Sequence, residues 1–71
     1  MNDHGPDEEK AIAAKVALLR QEHQDLDASI RALELQPQPD QLLIMRLKRK
    51  KLAVRDQMVL LEDQLTPDII A

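Results

Sequence analysis

The 71-residue sequence has no cysteine, no Phe, Tyr or Trp, and a single glycine, Gly5. Without cysteine, no disulfide and no thiolate metal site can form. Without aromatic rings, the core must be aliphatic, and no aromatic side chain is available to stack on nucleic-acid bases. The longest uncharged apolar runs, such as Leu42 to Met45, are far shorter than the ~20 residues that a membrane span needs. We expect no cofactor and no membrane span.

Proline marks the organising feature of the chain. Pro37 and Pro39 lie one residue apart between two long amphipathic stretches. Because proline removes a helical hydrogen bond and clashes with the preceding turn, the first helix is predicted to end near Leu35. Asp40 is placed to cap the second helix with its side-chain oxygen. The stretch therefore predicts the turn of a helical hairpin.

The outer limits of the hairpin follow from the other two prolines. Pro6 suits the first position of a helix, and Pro67 disfavours a helical residue before it. We leave open whether Ile69 and Ile70 fold onto the hairpin or form an interface. The predicted segments are a frayed N-terminus at 1–5, a hairpin at 6–66 with helices at about 6–35 and 41–65 and a turn at 36–40, and a tail at 67–71.

Both helices carry a row of positions spaced alternately by three and four residues, which is the heptad pattern of a coiled-coil seam. Leu33 placed opposite Ile44 gives facing residues whose numbers add up to 77. The pattern predicts an all-α fold, an antiparallel two-helix coiled-coil hairpin, with dimerisation into a four-helix bundle as a further stage. The seam residues are Ile12, Val16, Leu19, His23, Leu26, Ile30, Leu33, Ile44, Leu47, Lys51, Val54, Met58, Leu61 and Leu65.

Two polar residues interrupt the seam, His23 and Lys51. A polar residue at such a position often fixes register and partner number. The Lys51 ammonium is expected to extend out of the seam toward Glu22 or Asp27. We interpret both as structural residues.

Charge is unevenly distributed, since residues 1–40 hold four basic and nine acidic side chains and residues 41–71 hold six and four. Opposite charge on the two helices favours closure of the hairpin. The register predicts Asp27 opposite Lys48, and it also predicts an unfavourable contact of Arg20 with Arg55.

A second apolar row lies outside the seam on the second helix, at Met45, Leu52 and Val59, and Leu18 adds an apolar patch on the first. One seam cannot bury both rows. These residues are either scattered surface aliphatics or a second interface, which joins two hairpins or docks a partner helix.

The second helix also contains a basic stretch, in which Arg46, Arg49 and Lys50 share an outer arc of about 100°. Phosphate binding needs only positive charge near a backbone. The net charge of −3 and the lack of aromatic side chains argue against a dedicated nucleic-acid role. Nucleic acid remains the less favoured partner.

No group of residues predicts catalysis. His23 has no Ser, Cys or carboxylate pair converging on it, and a two-helix hairpin offers no cleft. His4, Asp7 and Glu8 have helical spacing, but one imidazole is a weak ligand set for a metal. We expect neither an enzyme nor a metal site.

The residues around the turn resemble a known family. His23, Leu26, Asp27, Ile30, Leu33 and Glu34 precede the turn, and the run from Leu47 through Lys48-Arg49-Lys50-Lys51 to Asp56 follows it. This region, about 23–61, resembles the YdcH-like family of small bacterial coiled-coil proteins of unknown function. The resemblance implies a short coiled coil in a bacterial cytoplasm, and it carries over no catalytic residue. Family members tend to have Glu where this chain has Gln57.

These patterns predict a small non-catalytic protein-interaction or adaptor module that acts through helix packing. We expect a homo-oligomer, most simply a dimer, with a further protein partner that the sequence does not identify. The N-terminus has no basic region followed by an apolar one, as a secretory signal peptide would have, so the expected location is cytoplasmic. The alternative is a non-specific nucleic-acid-associated protein that uses the basic stretch.

Overall fold

The computed structural model describes residues 5–65 of the chain, which form two α-helices. Helix α1 spans Pro6–Glu34 and helix α2 spans Gln41–Leu65. The first turn of α1 holds a proline and three acidic residues, Asp7, Glu8 and Glu9. A proline there loses no helical hydrogen bond, and negative charge is favourable at the positive end of the helix dipole. The predictions for His4, Thr66, Ile69 and Ile70 lie outside the described residues.

Helix α1 ends at Glu34, one residue before the predicted end. The Leu35 N–H still donates to the Arg31 carbonyl at 3.2 Å, so Leu35 caps the helix. The next residue, Gln36, precedes Pro37, and the proline ring disfavours a helical conformation in the residue before it. The chain therefore leaves the helix here.

Helix α2 begins with the cap that the sequence predicts. The Leu43 N–H donates to Oδ1 of Asp40 at 3.1 Å, and the Ile44 N–H donates to the Asp40 carbonyl at 3.0 Å. The Asp40 side chain thus satisfies one of the N–H groups that a helix start leaves without partners, and its carbonyl accepts the first hydrogen bond of the helix. The start of α2 is therefore set by a hydrogen bond between residues that are three positions apart in the sequence.

The two helices pack against each other along one face, which confirms the predicted all-α hairpin. Leu19, Leu26 and Val54 form the centre of the core, and partly buried residues of α2 pack around them. The hairpin is elongated and measures 51 × 25 × 17 Å. The buried side chains of residues 5–65 are Val16, Leu19, Leu26, Ile30, Ile44 and Val54.

Candidate interaction surfaces

The predicted seam residues all lie on the faces that the two helices turn toward each other. All six buried side chains belong to this set, and the other eight members are partly buried. Ile30 and Ile44, on either side of the turn, are each only 3% exposed. The seam is the surface that holds the hairpin closed.

Lys51 is the charged residue within the seam, and the facing helix neutralises it. Its Nζ donates to Oδ1 of Asp27 at 2.9 Å, while Oδ2 of Asp27 accepts from Arg31 at 3.1 Å. The Lys51 hydrogen bond lowers the pKa of Asp27, and the charges of Arg31, Lys51 and His23 add to this effect against a smaller opposing effect of burial. Asp27 therefore compensates a cation in an apolar row.

Ion pairs line the edge of the seam that carries Asp27. Arg20, Asp27 and Glu34 recur every seven residues along this edge of α1. Nη2 of Arg20 lies 2.7 Å from Oε2 of Glu62, and Nζ of Lys48 lies 3.3 Å from Oε2 of Glu34. The predicted contact of Asp27 with Lys48 is therefore wrong.

Arg20, which was predicted to lie against Arg55, pairs with Glu62 instead, and the direction of the side chains explains this partner. A helical side chain tilts toward the N-terminus of its own helix. In an antiparallel pair, Arg20 and Glu62 tilt toward each other, although their Cα atoms lie at different levels along the hairpin. Lys48 and Glu34 converge in the same way. The prediction paired residues at equal levels and so missed both ion pairs.

The opposite edge of the seam shows the reverse case. Lys50 and Glu22 tilt away from each other, and their charged atoms are 3.9 Å apart, the longest of the ion pairs between the two helices in residues 5–65. The pairs whose side chains tilt toward each other are therefore shorter than the pair whose side chains tilt apart. Only one edge is closely paired.

The second apolar row is exposed on the outer face of α2. Met45, Leu52 and Val59 are 46%, 56% and 44% exposed. The structure adds Leu42, 54% exposed, at the start of the same row. The sequence contained this signal, because Leu42 lies three residues before Met45 and continues the heptad spacing. Leu60 also lies exposed beside the row, and on α1 the predicted residue Leu18 is 68% exposed.

Two opposite charges complete this row. Arg49 and Asp56 occupy the heptad positions between its apolar residues, and both are exposed. Within residues 5–65 neither makes an ion pair or a side-chain hydrogen bond. We call the whole set the outer row: Leu42, Met45, Arg49, Leu52, Asp56 and Val59.

The predicted basic arc is exposed but not uniform. Lys50 is directed toward Glu22, as described above. Arg46 and Arg49 have no acidic partner among the described residues. The structure thus separates the arc into one cation near the seam and two that face solvent.

Comparison with known proteins supplies the family. A family model described as a protein of unknown function, DUF465, matches residues 17–62, about two thirds of the chain. The chain belongs to the YdcH-like family. The resemblance drawn from the sequence is thereby confirmed. No curated protein and no solved structure matches the chain.

The YdcH-like match takes in the turn, most of the seam and the whole outer row. Within residues 5–65 of this YdcH-like chain, no three His, Asp or Glu side chains are grouped as they would be around a metal ion. Neither α1 nor α2 has the length of apolar sequence that crossing a membrane requires. A shallow depression at the open end is lined partly by Arg20 and Glu62, whose charges already pair with each other.

Proposed function

We propose that this YdcH-like chain is a small non-catalytic protein-interaction module that acts through helix packing on the outer face of α2. One observation carries the proposal. Helix α2 has two heptad rows, and the hairpin covers only one of them. A helix that is amphipathic in two directions needs a second apolar surface to pack against.

The exposed side chains are large enough to support association. Leu42, Met45, Leu52, Val59 and Leu60 are each about half exposed. At roughly 1.5–3 kcal/mol for a fully buried aliphatic side chain, covering them contributes roughly 4–8 kcal/mol. A partner surface adds a similar amount, against an association cost of about 4–15 kcal/mol. We therefore expect binding in the micromolar range.

A role in non-specific nucleic-acid binding is the second candidate, because Arg46 and Arg49 are exposed and have no acidic partner in residues 5–65. Asp56 and Asp63 share the outer side of α2 with them. Negative charge there repels phosphate, and no aromatic ring is present for stacking. The apolar row is the better supported surface.

The two functions respond to different substitutions. The full chain is immobilised and exposed to cell extract with and without nuclease. We compare the wild type with Leu52→Glu/Val59→Glu, which alters the outer row, and with Arg46→Glu/Lys50→Glu, which alters the basic arc. Leu18→Glu is the control, because Leu18 is also an exposed aliphatic residue, at 68%, but lies on α1.

We expect protein capture that survives nuclease and salt of about 1 M, at which the Debye length falls to roughly 3 Å. This capture should be lost in Leu52→Glu/Val59→Glu and retained in the control. If the captured material disappears with nuclease and with Arg46→Glu/Lys50→Glu, the nucleic-acid function replaces this proposal.

A further inference from the structure

The spacing of the outer row is compatible with a second copy of itself. Its six heptad positions, 42, 45, 49, 52, 56 and 59, have the same spacing when read in either direction. They lie within an arc of about 100° and span about 25 Å of α2. The α2 helix of a second copy can therefore face this row antiparallel with its own outer row in register.

The charges of the row favour one orientation. Arg49 and Asp56 are seven residues apart, about 10 Å along the helix, and neither has a partner in residues 5–65. An occupant of this face must present an acid near Arg49 and a base near Asp56. The α2 helix of a second copy does so when it runs antiparallel. A parallel copy would place Arg49 beside Arg49.

We propose that the outer row binds the outer row of a second copy of this chain, antiparallel, with Arg49 of each copy paired to Asp56 of the other. This inference rests on the proposed function and names its partner. Leu42 then lies opposite Val59 of the second copy, and Leu52 lies beside Arg49 of the second copy. Two hairpins join through their α2 helices into a four-helix assembly.

The ion pairs of the hairpin show how the two charges meet. In the proposed register, Arg49 and Asp56 of the second copy are offset by four residues, about 6 Å along the axis. The pairs Arg20–Glu62 and Lys48–Glu34 have a similar offset in the same direction and close to 2.7 and 3.3 Å, because their side chains tilt toward each other. Arg49 and Asp56 converge by the same tilt.

Charge exchange between copies tests the inference. Sedimentation equilibrium is measured on the full chain for the wild type, Arg49→Glu and Asp56→Arg. Each single substitution creates two like-charge contacts in the dimer, so each should raise the dissociation constant roughly tenfold. An equimolar mixture of the two variants should recover the wild-type affinity, because every pair between unlike chains is then complementary. Asp25→Arg on α1 is the control for added positive charge and should leave the affinity unchanged.

Cysteine pairs test the register without altering charge, and the chain has no other cysteine. Leu42→Cys and Val59→Cys proteins should form a disulfide-linked heterodimer when mixed and oxidised. Neither alone should crosslink rapidly, since the two copies of each position are about 25 Å apart. Circular dichroism should show wild-type helicity for all these variants, because each altered residue is exposed.

Several results would overturn the inference. These are a wild type that stays monomeric up to high micromolar concentration, a mixture that recovers no affinity, or rapid crosslinking of Leu42→Cys with itself. A monomeric wild type whose capture of another protein is still lost in Leu52→Glu/Val59→Glu would overturn this inference and leave the proposed function standing.

Discussion

The seam residues of α2 form an inner row, and both this row and the outer row need a facing helix to cover their apolar side chains. The hairpin covers only the inner row, which consists of Ile44, Leu47, Lys51, Val54, Met58, Leu61 and Leu65. Each row is apolar with charged interruptions. In the inner row, Lys51 meets Asp27 of the facing helix at 2.9 Å, and the apolar residues around it are covered. In the outer row, Arg49 and Asp56 face no other helix of the described chain. A charge within an apolar row thus favours the helix that presents an opposite charge at the same place, as α1 does for Lys51.

The largest expected effect separates the two rows by burial. Ile44→Ala removes a side chain that is 3% exposed and should destabilise the fold by about 2–5 kcal/mol, lowering Tm by roughly 10–40 °C. Leu42→Ala, two residues earlier but in the outer row and 54% exposed, should change the stability of the dilute chain by less than about 0.5 kcal/mol. Thermal unfolding followed by circular dichroism measures both. If the two variants lost equal stability, the inner and outer rows would not differ in their contribution to the folded hairpin.

A smaller effect is expected from removing the charge of each row. Lys51→Leu replaces a partly buried ammonium with an aliphatic side chain, while Asp27 keeps its ion pair with Arg31 at 3.1 Å, so we expect Tm to rise by several degrees and control of the oligomeric state to loosen. Arg49→Leu, in the outer row, should leave the Tm of the dilute chain unchanged. Thermal unfolding and sedimentation measure the two outcomes. A clear fall in Tm for Lys51→Leu would show that Asp27 depends on the lysine.

The smallest effect concerns pH. The pKa of Asp27 is lowered from its ordinary value of 3.8, chiefly by the Lys51 hydrogen bond. Asp27 therefore stabilises the folded chain fully above that value, and this contribution is lost as the pH falls through the lowered pKa. Asp27→Asn should weaken the loss of stability in this acid range, as measured by urea unfolding at a series of pH values.

Lys51→Met removes the hydrogen-bond donor from the other side of the same contact. Like Asp27→Asn, it should reduce the loss of folding stability as the pH falls through the acid range. If the slope of stability against pH is unchanged in both variants, the contact of Lys51 with Asp27 does not make the stability depend on pH.

The sequence predicted the features that depend on local chemistry and on period. The prolines and Asp40 determine the turn within five residues, and the heptad spacing identifies the face of each helix without reference to the other. The end of α1 differs by one residue, because Leu35 caps the helix instead of continuing it.

The ion pairs were harder to predict, since they depend on the tilt of long side chains and not on the level of their Cα atoms. Arg20 reaches Glu62, and Lys48 reaches Glu34, because both partners tilt in converging directions. The role of Leu42 was missed, although the heptad spacing contained it. The occupant of the outer row could not be read from periodicity alone, since the row's period shows only that a helix fits there.

The tight packing beside the turn also has a consequence for how the chain folds. Ile30 and Ile44 are the most deeply buried residues of the hairpin, and only a short loop separates the two helix ends that carry them. Loop closure costs least entropy at short separation, and folding is fast when early contacts are local. The hairpin is therefore expected to nucleate at the turn and to zip toward its open end, where Ile12 and Leu65 are only partly buried.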